Sequence, residues 1–503
     1  MFYSRASTKP EFKKVIKKRS IFTASLLSLC VSSIVYAQAN PAPEPMVRGL
    51  LKEIEQKSYK DGTLITTDKQ ELQQQLSDPD WQHADDKVGS GVDRALQKFG
   101  PGTSKVIVAV IDSGVDTSHP DLKGRIWTNK YERPGDGIDN DGNGYIDDVH
   151  GWSFVGVNQE NTNLEMTRLY RAKALKYRNN YKLLTAEEAR IKDTYEDESF
   201  GMEDHPYYDV TLSPLMTPDP FNPYKAVRDF PKLDDPYYGN NDPIGLGSDH
   251  GTHVAGIIAA KRDNDKKGEK PGLVTQGIAP MAKIMPIRVL ADGDERDEDV
   301  ANAVRYAVDN GAQVINMSFG KGFSPLQEDV AAAFKYAADH NVLMVHAAGN
   351  DASDVGEVPN FPSRFKMHPK VKKNWLEVGA STKYFGKDDF IAYFSNYGGQ
   401  HGKATVDLFA PGAAIVSTVF DDSVNSLSGT SMASPHVAGI AALILSHNNE
   451  LKGSEVKQLI MDNVNDYSTK LVMAPDGTYT TMGELSVSGG TINAFKALKS
   501  LHN

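Results

Sequence analysis

The sequence predicts an α/β fold: a doubly wound, mostly parallel β-sheet flanked by helices. Three observations carry that expectation. Unbroken β-branched runs recur, helical patterns separate them, and reactive polar residues stand where the runs end. The first run, residues 106–111, reads Val-Ile-Val-Ala-Val-Ile and stops at Asp112. A strand apolar on both faces is covered on both faces, as in parallel sheets. Similar runs lie at 284–290, 314–317, 342–346 and 406–409. Helical spacing occupies 300–309, 326–339 and 434–446. Open α/β sheets bind ligands beyond the carboxyl ends of their strands, and Asp112, Ser318 and Asn350 fall at such ends.

The chain has 503 residues, 40% hydrophobic and 24% charged, which suits a globular protein. Residues 1–39 read as an export signal. Their first part is basic, with Glu11 the one acid, and an uncharged apolar run at 21–37 follows. Ala37 and Ala39 suit cleavage, and the run is short for a membrane span. The one cysteine, Cys30, lies in this leader, so the exported chain has no disulfide. Loss of the leader moves the net charge from −11 to about −17, which disfavours nucleic acid and anionic membranes as partners. The expectation is a secreted or periplasmic monomer with no membrane span and no organic cofactor.

Residues 40–78 are polar, with one short helix at 46–56, and read as a short prosegment or linker. The globular domain spans 79–503. Segment 153–247 breaks its rhythm and is rich in Tyr, Asp, Glu and Pro. It has helical spacing at 164–191 and an extended loop at 204–241. We read it as an insertion that forms a partial lid or cleft wall.

The stretch Gly429-Thr430-Ser431-Met432-Ala433-Ser434-Pro435-His436 leads into an apolar helix. A serine there meets free backbone N–H groups and the positive end of the helix dipole. Ser431 or Ser434 as a simple cap is the plainer reading. A serine hydroxyl is a weak nucleophile, so it needs a base, and the base needs an orienting carboxylate. Asp112, at a buried strand end, is placed to hold an imidazole. His250 opens His250-Gly251-Thr252-His253-Val254-Ala255-Gly256, ahead of an apolar helix. His253, one turn further on, is the rival base and is expected to pack inside. Asn350, in Ala347-Ala348-Gly349-Asn350, puts a carboxamide beside the sheet's end. With the backbone N–H of Ser431 it can hold an oxyanion, although asparagine is also a common loop residue.

The motifs around Asp112, His250, Asn350 and Ser431 closely resemble those of the subtilisin-like serine peptidases (subtilases, peptidase family S8), including the chain order Asp, His, Ser. The resemblance covers residues 80–500 apart from the insertion. It ends in Gly490-Thr491-Ile492-Asn493-Ala494-Phe495, similar to the family's final strand and helix. It implies a subtilisin-like three-layer sandwich and a serine endopeptidase acting on polypeptides through an acyl-enzyme. Ser431 would be the nucleophile, His250 the general base and acid, Asp112 the orienter and Asn350 the oxyanion donor. Ser318, Phe319 and Gly320 match the strand that pairs with substrate backbone. Two departures stand out: the prosegment is short, and Lys321 replaces a frequent glycine. That lysine is expected to narrow or charge the primary pocket. A binding module on this fold would have lost a catalytic residue. An α/β-hydrolase would carry Gly-x-Ser-x-Gly and another triad order.

Asp139, Asp141 and Asn143 alternate around Gly142 like the start of an EF-hand loop. Position twelve would be His150, so Asp148 is expected to close a shortened loop. The expected structural Ca2+ ligands are Asp139, Asp141, Asn143, the Tyr145 carbonyl and Asp148; similar loops occur in relatives of the family. Asp292, Asp294, Glu295, Asp297, Glu298 and Asp299 crowd another loop, which by resemblance lies at the cleft's other wall. It reads as a solvated acidic loop entering a helix whose first turn favours acids. The sharper reading is that it repels acidic substrates.

Overall fold

The structure is a computed structural model. It describes residues 59–60, 63–64, 81–84, 87–155, 238–245, 247–262, 275–290, 293–364, 367–399 and 405–503. The leader 1–39 with Cys30, the expected helices 46–56 and 164–191, most of the loop 204–241, and Asp292 lie outside these residues.

A short antiparallel ribbon joins β1 (Tyr59–Lys60) to β2 (Thr63–Leu64). There follow β3 (Val106–Asp112), β4 (Trp152–Ser153), β5 (Ala282–Arg288), β6 (Val314–Met317), β7 (Leu343–Ala347), β8 (Trp375–Ser381) and β9 (Leu408–Pro411). Then come a hairpin of β10 (Ile415–Val419) and β11 (Ser423–Leu427), β12 (Asn465–Asp466), a second hairpin of β13 (Leu471–Met473) and β14 (Tyr479–Thr481), and β15 (Gly490–Thr491). The main sheet runs β12-β15-β9-β8-β7-β6-β3-β5-β4. All its neighbours are parallel except β12 and β15.

The period of two sorts each strand between two covered faces. Val106, Val108 and Val110 join one core with α2 (Asp249–Ala259) and α6 (Thr430–His447). Ala109 and Ile111 join the other with α3 (Asp297–Asp309) and α4 (Gln327–Asp339). The remaining helices are α1 (Val92–Phe99), α5 (Pro369–Lys373), α7 (Gly453–Met461), α8 (Met482–Leu485) and α9 (Ala494–Leu501). Each fully buried Val, Ile or Leu contributes about 1.5–3 kcal/mol, so two apolar faces per strand dictate three layers. α6 is buried from Met432 to Ser446, which is why its sequence lacks a polar face.

The expected elements are present with shifted bounds. The run read at 284–290 is strand 282–288, and that read at 406–409 is strand 408–411. α3 begins earlier than its apolar spacing, because Asp297, Glu298 and Asp299 fill its first turn. β8 and the β10–β11 hairpin escaped the reading. Glu377 and Gly379 interrupt the apolar run of β8, and β11 is only half-buried.

From β3 the chain turns outward to β4 and β5, then crosses back to β6 on β3's other side. This switch opens a crevice at the strands' carboxyl ends. Residues 153 and 240 meet at the sheet's edge. Ser153 N–H donates to the Asn240 carbonyl at 2.8 Å, and Asn240 N–H returns the bond at 3.0 Å. Ser153, Arg288 and Asp112 lie in one row across β4, β5 and β3. Among the described residues no helix is long and apolar enough to cross a membrane.

A buried ion cluster ties the sheet to α7. Asp407 is 2% exposed and meets Arg364 Nη1 at 2.7 Å and Lys457 Nζ at 3.2 Å. Burial pushes its carboxyl up, but Arg364 and Lys457 outweigh that and leave it below the usual range. Asp407→Asn should cost about 3 kcal/mol at neutral pH, read from urea unfolding, because it strands two buried cations. A depressed carboxyl stabilises fully above its unfolded value and loses that contribution as pH falls through its folded value. The gap between wild type and variant should therefore narrow below pH ~3.9.

Candidate active site

Asp112 closes β3 with its side chain fully buried. Its Oδ1 accepts the Ser113 N–H at 2.7 Å and faces His250 Nδ1 at 2.7 Å. His250 is the second residue of α2, and its side chain is 36% exposed. Gly251 makes the approach possible: a Cβ there would sit 2.1 Å from the Gly114 carbonyl oxygen. Burial pushes the His250 ring's pKa down, but the Asp112 charge and hydrogen bond outweigh it and hold the pKa above its ordinary value. His253 is fully buried, with Nε2 on the Ile415 and Asn425 carbonyls, and burial pushes it down to about 3. It stays neutral and faces away from solvent.

Ser431 is the second residue of α6, after Gly429 and Thr430. Pro435 lies inside that helix and has no N–H for the Ser431 carbonyl. Ser318 Oγ supplies the missing donor at 2.9 Å and also meets Ser434 Oγ at 2.8 Å. Ser431 Oγ in turn donates to the Ser318 carbonyl at 3.1 Å. Asn350 commits Oδ1 to the Thr430 N–H at 2.8 Å and to Thr430 Oγ1 at 3.0 Å. Its exposed amide end is left to face the cleft.

A cavity of about 280 Å³ opens beside Ser431, with Asp294, Phe319, Gly320, Asn350 and Asn360 in its wall. Ser318 and Phe319 are buried, and Gly320 is exposed. A Cβ on Gly320 would meet Asn360 Oδ1 at 2.3 Å, so a side chain there would require Asn360 to shift. Asn360 was not anticipated; it precedes the Phe361–Pro362 bond and gives no motif signal.

Two expectations are corrected here. Lys321 does not charge the pocket. It is 5% exposed, with Nζ 2.8 Å from Asp297 Oδ1 and 2.8 Å from the Glu295 carbonyl. The acidic loop is not a solvated one either, since Glu295, Asp297 and Asp299 are buried. Burial pushes Glu295 up to about 8 against the pull of Lys321. Lys321 and this loop explain each other: the lysine neutralises acids that helix α3 draws inward.

The loop 139–148 lies away from this cleft. Asp139 and Asp141 converge with Glu132, one carboxylate oxygen of each within 4.8 Å of the others. Glu132, seven residues upstream of Asp139, fell outside the loop pattern. Asp148 is fully buried and is held by Asn129, Asn143 and Tyr306 rather than within that trio. Burial pushes Asp148 up to about 6, and neighbouring Asp141 adds to this. Asn143 Oδ1 accepts the Tyr145 N–H at 2.8 Å. Crowded carboxylates of this kind suit a hard divalent cation.

The profile of the subtilase family (peptidase S8) matches residues 103–483. The cell wall-associated protease of Bacillus subtilis is 38% identical over 237 residues, 47% of this chain and 23% of that protein. The thermophilic serine proteinase of a Bacillus species is 35% identical over 263 residues, 52% of this chain and 55% of that protein. Thermitase of Thermoactinomyces vulgaris is 35% identical over 256 residues, 50% of this chain and 76% of that protein. The match thus spans about a quarter to three quarters of these relatives' lengths. A solved protease of Pseudoalteromonas arctica shares the fold at a TM-score of 0.50 and 22% identity, covering 84% of this chain and 97% of that one. The three-layer sandwich is therefore the subtilisin-like one, and the chain belongs to the subtilase family.

Proposed function

We propose that this chain is a serine endopeptidase that hydrolyses peptide bonds through an acyl-enzyme. The observation that carries the reading is the 2.7 Å Asp112–His250 contact, with Ser431 and Asn350 in the wall of the cavity described above. Ser431 Oγ turns from the Ser318 carbonyl, gives its proton to His250 Nε2 and attacks the substrate carbonyl carbon. Asp112 keeps Nδ1 protonated and stabilises the imidazolium that forms. The oxyanion sits between the Ser431 N–H, unpaired in the helix's first turn, and the Asn350 amide. His250 then protonates the leaving nitrogen, the carbon–nitrogen bond breaks, and the free amine departs while the acyl group stays on Ser431 as an ester. Water, with His250 again as base, cleaves the resulting ester. Backbone at Ser318, Phe319 and Gly320 would hold the polypeptide in extended form.

We also propose export as a monomer to the periplasm or beyond, supported by the basic-then-apolar leader. In this reading one peptidase unit, 79–503, stands behind prosegment 40–78 and carries the insertion 153–247. A structural Ca2+ at loop 139–148 completes the proposal. Asp139, Asp141 and Glu132 would hold it, with Asn143, the Tyr145 carbonyl and Asp148 as further oxygens; the ion would screen their mutual repulsion.

Fluorophosphonate labelling with casein digestion tests the nucleophile. Ser431→Ala should abolish labelling and lower kcat on the order of 10⁶-fold; a labelled variant refutes the assignment. The pH profile of kcat/KM tests the base. Only neutral His250 accepts the proton, so activity should fall as pH drops through its raised value. Asp112→Asn removes the charge that raises it, so the acid limb should move to lower pH while kcat drops about 10⁴-fold. An unmoved limb excludes His250 as the base. Thermal unfolding with and without chelator tests the ion. Calcium at a hundredfold excess over its Kd adds about 2.7 kcal/mol, so chelation should lower Tm clearly, and an unchanged Tm rejects the site.

A further inference from the structure

The protein holds a second carboxylate–imidazole pair, closed off from solvent behind the cleft wall. His346 on β7 and Glu377 on β8 are directly opposite in the parallel register. His346 Nδ1 lies 2.7 Å from Glu377 Oε1. His346 is 0% and Glu377 5% exposed. Glu377 Oε2 accepts the indole N–H of Trp375 at 2.7 Å. On its other side, His346 Nε2 lies 2.8 Å from the carbonyl oxygen of Phe319.

A carbonyl oxygen only accepts, so Nε2 carries a proton and donates it. The Nδ1–Oε1 contact holds a second proton, because two bare acceptors do not approach that closely. The pair thus fixes the ring's orientation and aims the Nε2–H at Phe319. Strand β6 has ended at Met317, so the sheet ladder no longer satisfies that buried carbonyl. The consequence lies on the far side of the same peptide unit. In a trans peptide the C=O and the next N–H point in opposite directions. Fixing the Phe319 carbonyl inward therefore turns the Gly320 N–H outward, towards the cavity beside Ser431.

We infer that His346, held by Glu377, is a positioning residue that presents the Gly320 N–H to an extended substrate's backbone. The inference rests on the peptidase reading above. It assigns His346 to recognition of residues beyond the scissile bond and not to bond breaking.

His346→Asn and His346→Gln form the test. Both are neutral amides: asparagine places its amide near the Nδ1 position and faces Glu377, and glutamine reaches the Nε2 position and Phe319. Two amide substrates with the same leaving group are compared, one with a single residue and one with four. His346→Asn should raise KM for the four-residue substrate about tenfold, the worth of one hydrogen bond. Its single-residue kinetics and fluorophosphonate labelling should stay within about twofold of wild type. His346→Gln should recover most of the loss. Equal behaviour of the two variants, or equal losses on both substrates, overturns the inference. If neither variant folds, hydrogen exchange in the wild type decides it. The Gly320 amide should be protected by a bound four-residue boronate and not by a single-residue one, and equal exchange overturns the inference. A wild-type protein that takes up no fluorophosphonate removes the peptidase reading and this inference with it. A labelled wild type with indifferent variants removes this inference alone.

Discussion

Pro435 withholds a single N–H, and much of the site follows from that. Without a donor from the helix, the Ser431 carbonyl turns to Ser318 Oγ. Ser318 answers with its own carbonyl to the Ser431 hydroxyl. This reciprocal clasp fixes the start of α6 to the end of β6, so Ser431 and Ser318 are held together. The sheet's switch point then sets Asp112 at the end of the strand beside β6. His250 reaches it because Gly251 lets α2 press against the turn after β3. The Asp112–His250 contact is thus a consequence of helix–sheet packing.

Buried charge is the second theme. Asp112 faces an imidazole, Asp407 two cations, Asp297 a lysine and Glu377 a histidine. Each arrangement offsets a desolvation cost that an isolated carboxylate could not bear. They differ in access to solvent. His250 is partly open to solvent, whereas His346 is sealed. The same pair of functional groups stands half-open at one strand end and fully enclosed between two neighbouring strands.

Much of this was legible in the sequence where local pattern and local chemistry coincide. Asp112 ends an apolar run, and Ser431 and His250 open apolar helices. Those signals survive without coordinates because strand ends and helix starts are themselves readable. What escaped depends on contacts between distant segments. Lys321 looked like a pocket residue until Asp297 was seen to face it. Glu132 joins Asp139 and Asp141 only because the chain doubles back. His346 sits in an apolar run and reads as core; its meaning comes from Glu377 on the next strand and Phe319 just past the end of the strand before. The acidic loop misled because composition records charge and not burial.

The closed base of the insertion has a consequence for the history of such a chain. Ser153 and Asn240 bond to one another in both directions, so the two ends of the intervening segment are already joined at the sheet's edge. Lengthening a closed loop costs only slowly growing entropy. The length between those ends can drift without tugging on Asp112, two strands away. That edge is a socket: its own two hydrogen bonds close it, whatever length of chain lies between Ser153 and Asn240.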